Sequence, residues 1–225
     1  MDSRKQELLN YIIKEHIKTA QAVGSSLISQ KYMKDVSSPT VRNEMQELER
    51  EGLITHLHTS AGRIPTEEGY RRYIENLDIK DVSEKNQKEI DNIFKENKDV
   101  QDKIKNLGKK IADLSQNTVV VAFSKNDVYY TGLSNLFSKP EFSRQNIVVN
   151  ISQVIDHLDE VMSSLSDLLD SDVSVFLGSD NPFSLECGSI LFKSKNGLVF
   201  GILGPMRMDY GSNIALIRYI KSLIE

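Results

Sequence analysis

The chain has 225 residues, with 28 Lys or Arg against 32 Asp or Glu, and a formal net charge of −4. That balance argues against a non-specific nucleic-acid coat, and the length allows one large domain or two modest ones. Its single cysteine, Cys187, excludes an internal disulfide or a cysteine zinc cluster, and no apolar run approaches the span of a membrane helix.

The opening MDSRKQELLN is too polar for a signal peptide, so a cytoplasmic location is expected. Leu9, Ile12, Ile13, His16 and Ile17 recur at helical spacing and predict one buried stripe, with His16 as a core histidine. Gly24 and Ser25 break and recap the chain before a second short helix, SSLISQKY. After a turn through Lys34 to Ser37, Ser38 is the expected N-cap of a third helix and Pro39 its first helical residue. Val41, Met45 and Leu48 form its inward stripe, and Gly52 ends it. LITHLHTSAGRIP alternates apolar and polar residues around a Ser-Ala-Gly tip and reads as two short strands and a turn. Thr66 then caps TEEGYRRYIENL, whose acids fall in its first turn. Three helices followed by a hairpin predict a winged helix-turn-helix over residues 1–77.

This segment is neutral, with eleven basic and eleven acidic residues, so any affinity for DNA must rest on where charges sit. On a helical wheel Pro39, Asn43, Gln46 and Arg50 point outward, with Thr40 and Arg42 on the flanks. Asn and Gln suit paired bonds to adenine, Arg suits guanine, and the Thr methyl suits thymine. The hydroxyls of Ser37 and Ser38 at the helix start suit a phosphate. Glu44, Glu47, Glu49 and Glu51 lie further along the helix. His56, His58, Thr59, Ser60 and Arg63 would supply donors from the hairpin. The competing reading is a well-capped surface helix with no ligand. His56 and His58 could share a metal, but two ligands without a third make a weak site, and polar hairpin residues are the better reading.

Residues 78–117 are highly charged, lack proline and carry a heptad. Ile90, Asn97, Ile104 and Ile111 fall at one core position, and Ile93, Val100, Leu107 and Leu114 at the other. This predicts a helical linker that joins two copies as a coiled coil or packs on its own chain. Gly108 weakens such a helix.

Residues 118–225 read as α+β with an antiparallel sheet. TVVVAF and VSVFLG are strand-like, ISQVIDHLDEVMSSLSDLL is helical, and SNIALIRYIKSLIE is an amphipathic terminal helix. CGSILFKSKNGLVFGILG gives two β-rich runs whose Asn196-Gly197 pair predicts a type I′ turn. Arg207, Asp209 and Tyr210 form an expected structural corner, tied by an Arg–Asp pair. His157 and Cys187 have no third orienting group, and GILGPMRMDYG lacks the lysine and glycine spacing of a phosphate loop. The expectation is therefore a non-enzymatic protein without a cofactor.

The stretch SSPTVRNEMQELEREGLITHLHTSAGRIPTEEGYRRYI resembles the bacterial heat-inducible transcription repressors, the HrcA family. TGLSNLFSKPEF, GSDN and GILGPMRMDY agree with the same family in the same order, so the resemblance covers residues 3–77 and 111–225. It implies a homodimer that binds an inverted-repeat operator in double-stranded DNA upstream of chaperone operons. It also implies a GAF-like C-terminal domain and support of the repressor by a GroEL-type chaperonin, with no membrane partner. The recognition helix would be Ser38–Arg50 and the wing His56–Arg63. Family members are substantially longer and carry a dimerisation insert that is missing here between Leu114 and Tyr129. Met206 stands where they have threonine. The heptad helix is the expected replacement for the missing dimer interface. Two further expectations compete: a regulator whose GAF-like domain senses a small molecule, and an adaptor whose main partner is a chaperonin.

Overall fold

A computed structural model describes residues 3–56, 62–96, 99–143, 145–169 and 172–225. The chain divides into two compact units, Met1–Leu77 and Asp78–Glu225.

The first unit runs α1 (Ser3–Thr19), α2 (Ser25–Lys31), α3 (Ser38–Arg50), β1 (Ile54–Thr55), β2 (Ile64–Pro65) and α4 (Glu67–Glu75). Its core is apolar and interleaved: Leu8, Leu9, Ile12 and Ile13 of α1, Ile28 of α2, and Val41, Met45 and Leu48 of α3 are all buried. β1 and β2 pair antiparallel, Ile54 opposite Pro65 and Thr55 opposite Ile64. Beyond the strands, Val23 and Arg63 exchange both backbone hydrogen bonds at 2.8 Å, which ties the hairpin to the segment before α2.

Two corrections apply here. The N-cap of α3 is Ser37, whose hydroxyl accepts from the Thr40 amide at 3.3 Å; Ser38 is the first helical residue and Pro39 the second. The amide that proline lacks is still one of the unpaired first-turn donors, so the shift costs nothing. His16 is only half-buried, and its ring is held by the Gln21 carbonyl at 3.2 Å. The buried polar group of α1 is instead Glu15.

The second unit runs α5 (Glu84–Glu96), α6 (Val100–Ser115), β3 (Thr118–Ser124), β4 (Asp127–Thr131) and α7 (Leu133–Phe137). It continues with α8 (Gln145–Asp156), α9 (Leu158–Leu168), β5 (Ser174–Leu177), β6 (Cys187–Lys193), β7 (Val199–Pro205) and α10 (Tyr210–Ile224). The five strands form one antiparallel sheet in the order β4-β3-β7-β6-β5. Alternate residues of each strand face opposite sides. Val120 and Ala122 of β3, Leu191 of β6, and Val199 and Leu203 of β7 join Leu136, Phe142, Ile147, Ile151, Leu158, Met162 and Leu165 in one buried cluster. Val119, Val121, Ile190, Phe192, Phe200 and Ile202 are buried on the opposite face, where α6 and α10 pack. Phe192 and Phe200 are register partners with ring centroids 6.1 Å apart. A sheet covered on both faces explains why these strands read as continuous apolar runs.

The heptad is used inside the chain. α5 and α6 pack on each other, α6 packs on β3 and β4, and Ile90, Ile104, Leu107 and Ile111 are fully or almost fully buried. Ile93 and Leu114 are half-buried, Val100 is exposed, and Asn97 lies outside the described residues. Ile90, Ile104, Leu107 and Ile111, expected at a dimer seam, are therefore spent inside the chain instead, in the α5–α6 pair and under α6 against the sheet. Gly108 sits at the crossing, where an added Cβ would lie 3.5 Å from Val119 and Tyr129 side-chain atoms.

Three other expectations change. The expected single helix 151–169 is α8 and α9, broken at His157. The β6–β7 loop is not type I′: Ser194 donates to the Leu198 carbonyl at 2.8 Å, Gly197 donates to that of Ser194 at 2.9 Å, and of the pair only Gly197 has positive φ, at 83°. That is a three-residue loop with glycine in the left-handed position, the next commonest hairpin closure. Arg207 pairs with Glu141, Nη2 to Oε2 at 3.1 Å, and not with Asp209. Asp209 caps α10 through the Ser212 amide at 3.2 Å, and buried Tyr210 donates to the Met206 carbonyl at 2.6 Å. Among the described residues no helix is long and apolar enough to cross a membrane.

Candidate nucleic-acid interface

α3 is held at both ends. At its start are the Ser37 cap and a Ser37–Thr40 hydroxyl contact of 2.8 Å, while Ser38 meets the hydroxyls of Ser25 and Ser26 at 3.1 and 3.2 Å. At its end Gly52 takes φ 75°, its amide donates to the Glu49 carbonyl at 3.0 Å, and Leu53 donates to Leu48 at 2.9 Å. That paired closure is a Schellman motif, which satisfies carbonyls that would otherwise be left open. Thr66 continues the joint. Its amide donates to the Leu53 carbonyl at 3.1 Å and its hydroxyl to the Gly52 carbonyl at 2.6 Å, while that hydroxyl caps α4 by accepting from Gly69 at 3.1 Å.

The helix so fixed has two unlike sides. Val41, Glu44, Met45 and Leu48 are buried, whereas Ser37, Pro39, Thr40, Arg42, Asn43, Gln46 and Arg50 are exposed and Ser38 is half-buried. The outward ridge carries amides and guanidinium groups, which donate and accept in pairs. Among the described residues Arg42 and Arg50 hold no ion pair.

The glutamates of the helix are each occupied. Glu44 pairs with Arg4, and Glu47 with Lys5 at 2.5 Å. Lys5 also reaches Glu51 at 3.4 Å. Glu49 binds His56 and accepts from Arg63 Nε and Nη2, both at 2.9 Å. Hydrogen bonding from Lys5 holds the Glu47 carboxyl below its ordinary range, and hydrogen bonding from His56 does the same for Glu49. Three acids on the helix and a fourth at its C-cap are thus all paired, which leaves the ridge free of unpaired negative charge.

Two expected hairpin contacts change as a result. His56 and Arg63 face Glu49, and the Arg63 side chain is only 19% exposed. Both brace the hairpin against α3, Arg63 from a largely buried position and His56 from an exposed one. His58, Thr59 and Ser60 lie outside the described residues. Among the described residues no group of three or more His, Cys, Asp or Glu is placed to hold a metal ion.

Reading the sequence overlooks Glu15. It is 5% exposed and accepts from Lys31 Nζ and the Tyr32 hydroxyl, each at 2.6 Å. The Tyr32 ring stacks on Tyr11 at 4.7 Å, so this carboxylate fastens α1 to the end of α2. The hydrogen bond from Lys31, then that from Tyr32, holds the Glu15 carboxyl below its ordinary range. In the second unit Cys187 is buried, and desolvation pushes its thiol up to about 12, which suits packing and not nucleophilic work.

In architecture, then, this is a two-unit α+β protein that presents one capped, charge-balanced helix on its first unit and a closed apolar sheet in its second. A family model described as the HrcA protein C terminal domain matches residues 70–214. The chain belongs to that family. A heat-inducible transcription repressor HrcA from Mycolicibacterium smegmatis is 35% identical over 123 residues, covering 54% of this chain and 36% of the relative. A protein of the same description from Desulforamulus reducens is 56% identical over 77 residues, covering 34% of this chain and 22% of the relative. The matched parts therefore span well under half the length of these curated relatives. A solved structure described as a hypothetical protein at 2.2 Å resolution shares the fold, with a TM-score of 0.71, 17% identity and 99% of both chains covered.

Proposed function

We propose that the chain is a sequence-specific DNA-binding transcription repressor of heat-shock operons, with Met1–Leu77 as a winged helix-turn-helix. α3 is its recognition helix and the β1–β2 hairpin its wing. The observation that carries this is the exposed Thr40, Arg42, Asn43, Gln46 and Arg50 ridge on a helix whose acids are all engaged. Asn43 and Gln46 read base edges in the major groove, and Ser37, Ser38 and Arg42 meet phosphates. The relatives' description as heat-inducible transcription repressors supports the same reading.

The mixed α+β unit acts as a GAF-like regulatory domain, the part that the GroEL-type chaperonin engages. An inverted-repeat operator needs two recognition helices about 34 Å apart, so the working form is a homodimer. Its contact does not use Ile90, Ile104, Leu107 or Ile111, which are already buried within the chain.

The test is a gel shift on inverted repeats from chaperone promoters, measured across salt concentration and with chaperonin added. Repeat-specific binding that weakens steeply with salt is expected. Equal affinity for scrambled and repeat duplexes overturns the reading.

A further inference from the structure

The N-terminal end of α1 presents two cations to α3, and one of them bridges a like-charged pair. Glu47 and Glu51 are four residues apart, neighbours on the helix surface that repel each other. Lys5 lies between them, at 2.5 Å from one and 3.4 Å from the other, and its own side chain is 26% exposed. Their carboxylates are drawn toward α1. Without that hold, Glu47 has two other groups within helical reach: Asn43 four residues before it and Arg50 three residues after. Both belong to the exposed ridge, and Arg50 already acts electrostatically on the Glu47 carboxyl.

We infer that Lys5 is a positioning residue for DNA recognition: it keeps Glu47 and Glu51 on the α1 side of α3, so that Asn43 and Arg50 stay open to bases and phosphates. This rests on the reading of α3 as a recognition helix. Lys5 need not touch the duplex to do it. A lysine that merely contacted a phosphate would contribute at least as much affinity once the glutamates were gone, because two carboxylates would no longer compete with the phosphate for its ammonium. A lysine that restrains the glutamates contributes only while they are there. The two cases separate in a mutant cycle.

The probe is a duplex enriched from a randomised library by the full wild-type chain, with binding followed by fluorescence anisotropy. Lys5→Gln is expected to weaken binding about tenfold in the wild-type background. In the Glu47→Gln, Glu51→Gln background the same change should cost less than about twofold. Lys5→Arg keeps the charge and restores most of the loss. Thermal melting of each variant confirms that it is folded. Should Lys5→Gln fail to fold, the Lys5→Met pair of measurements in the two backgrounds replaces it.

A loss from Lys5→Gln that is as large or larger in the Glu47→Gln, Glu51→Gln background overturns the inference and leaves the DNA-binding reading standing. So does no loss in either. A wild-type chain that enriches no duplex and binds none removes the reading itself, and the inference with it.

Discussion

In the first unit, four glutamates on α3 and its C-cap each meet a basic side chain brought from another element, Arg4, Lys5, His56 or Arg63. In the second unit, apolar side chains clad both faces of the sheet, and an ion pair such as Lys110 with Glu89 lies outside that core. The contrast teaches where each unit's identity is stored. Apolar burial is non-directional and roughly proportional to area, so the sheet unit can be altered in detail and keep its shape. An ion-pair lattice at a surface contributes little stability, yet it fixes which side of a helix shows which charge.

The largest test of that contrast is Phe200→Ala. The ring is fully buried between sheet and helices, and its loss should cost about 3–5 kcal/mol in urea unfolding. A cost under about 1 kcal/mol would mean the sheet is not the store of stability. Next comes Asn43→Ala, which should cost about 1–3 kcal/mol of discrimination between preferred and altered duplexes while leaving the melting temperature unchanged. Arg42→Ala should instead weaken all duplexes alike and lower the salt slope by about one.

A smaller effect follows from Glu15. Its folded carboxyl titrates below the ordinary glutamate value, so its contribution is full above that value and disappears as pH falls through the depressed one. Acid titration of thermal stability should therefore be less steep for Glu15→Gln than for wild type, and an identical slope counts against the buried contact. The smallest is Gly108→Ala. The new methyl would meet Val119 and Tyr129 atoms at 3.5 Å, ordinary contact, so a gain of up to about 1 kcal/mol in helix propensity is expected. A lower melting temperature would show that α6 needs that close approach.

Much of this was legible in the residues, for definable reasons. The α3 periodicity, the Gly52 stop and the β1–β2 pairing depend on local chemistry, and they appear where the sequence puts them. The Ser37 cap was misplaced by one residue because two adjacent hydroxyls compete equally well for the role. The heptad was ambiguous because one stripe serves a partner helix or a sheet alike; only the position of β3 and β4 decides. Asn196-Gly197 suggested the tighter turn, but Lys195 joins the loop and leaves a single left-handed residue. Arg63 looked like a free donor since its partner, Glu49, lies fourteen residues away in sequence. Glu15 was missed for the same reason: nothing within α1 announces Lys31 or Tyr32.

The joint at Gly52, Leu53 and Thr66 has a consequence for what the first unit can grip. One backbone knot closes α3, starts β1 and anchors α4, and a methyl at Gly69 would land 2.0 Å from the Leu53 oxygen. α3 and the β1–β2 pair are therefore prongs of one stiff fork, joined at that knot. On the proposed reading, a duplex held by both must offer its two footholds at a set stride, so a single base pair inserted between them should be tolerated far less well than a changed letter in either.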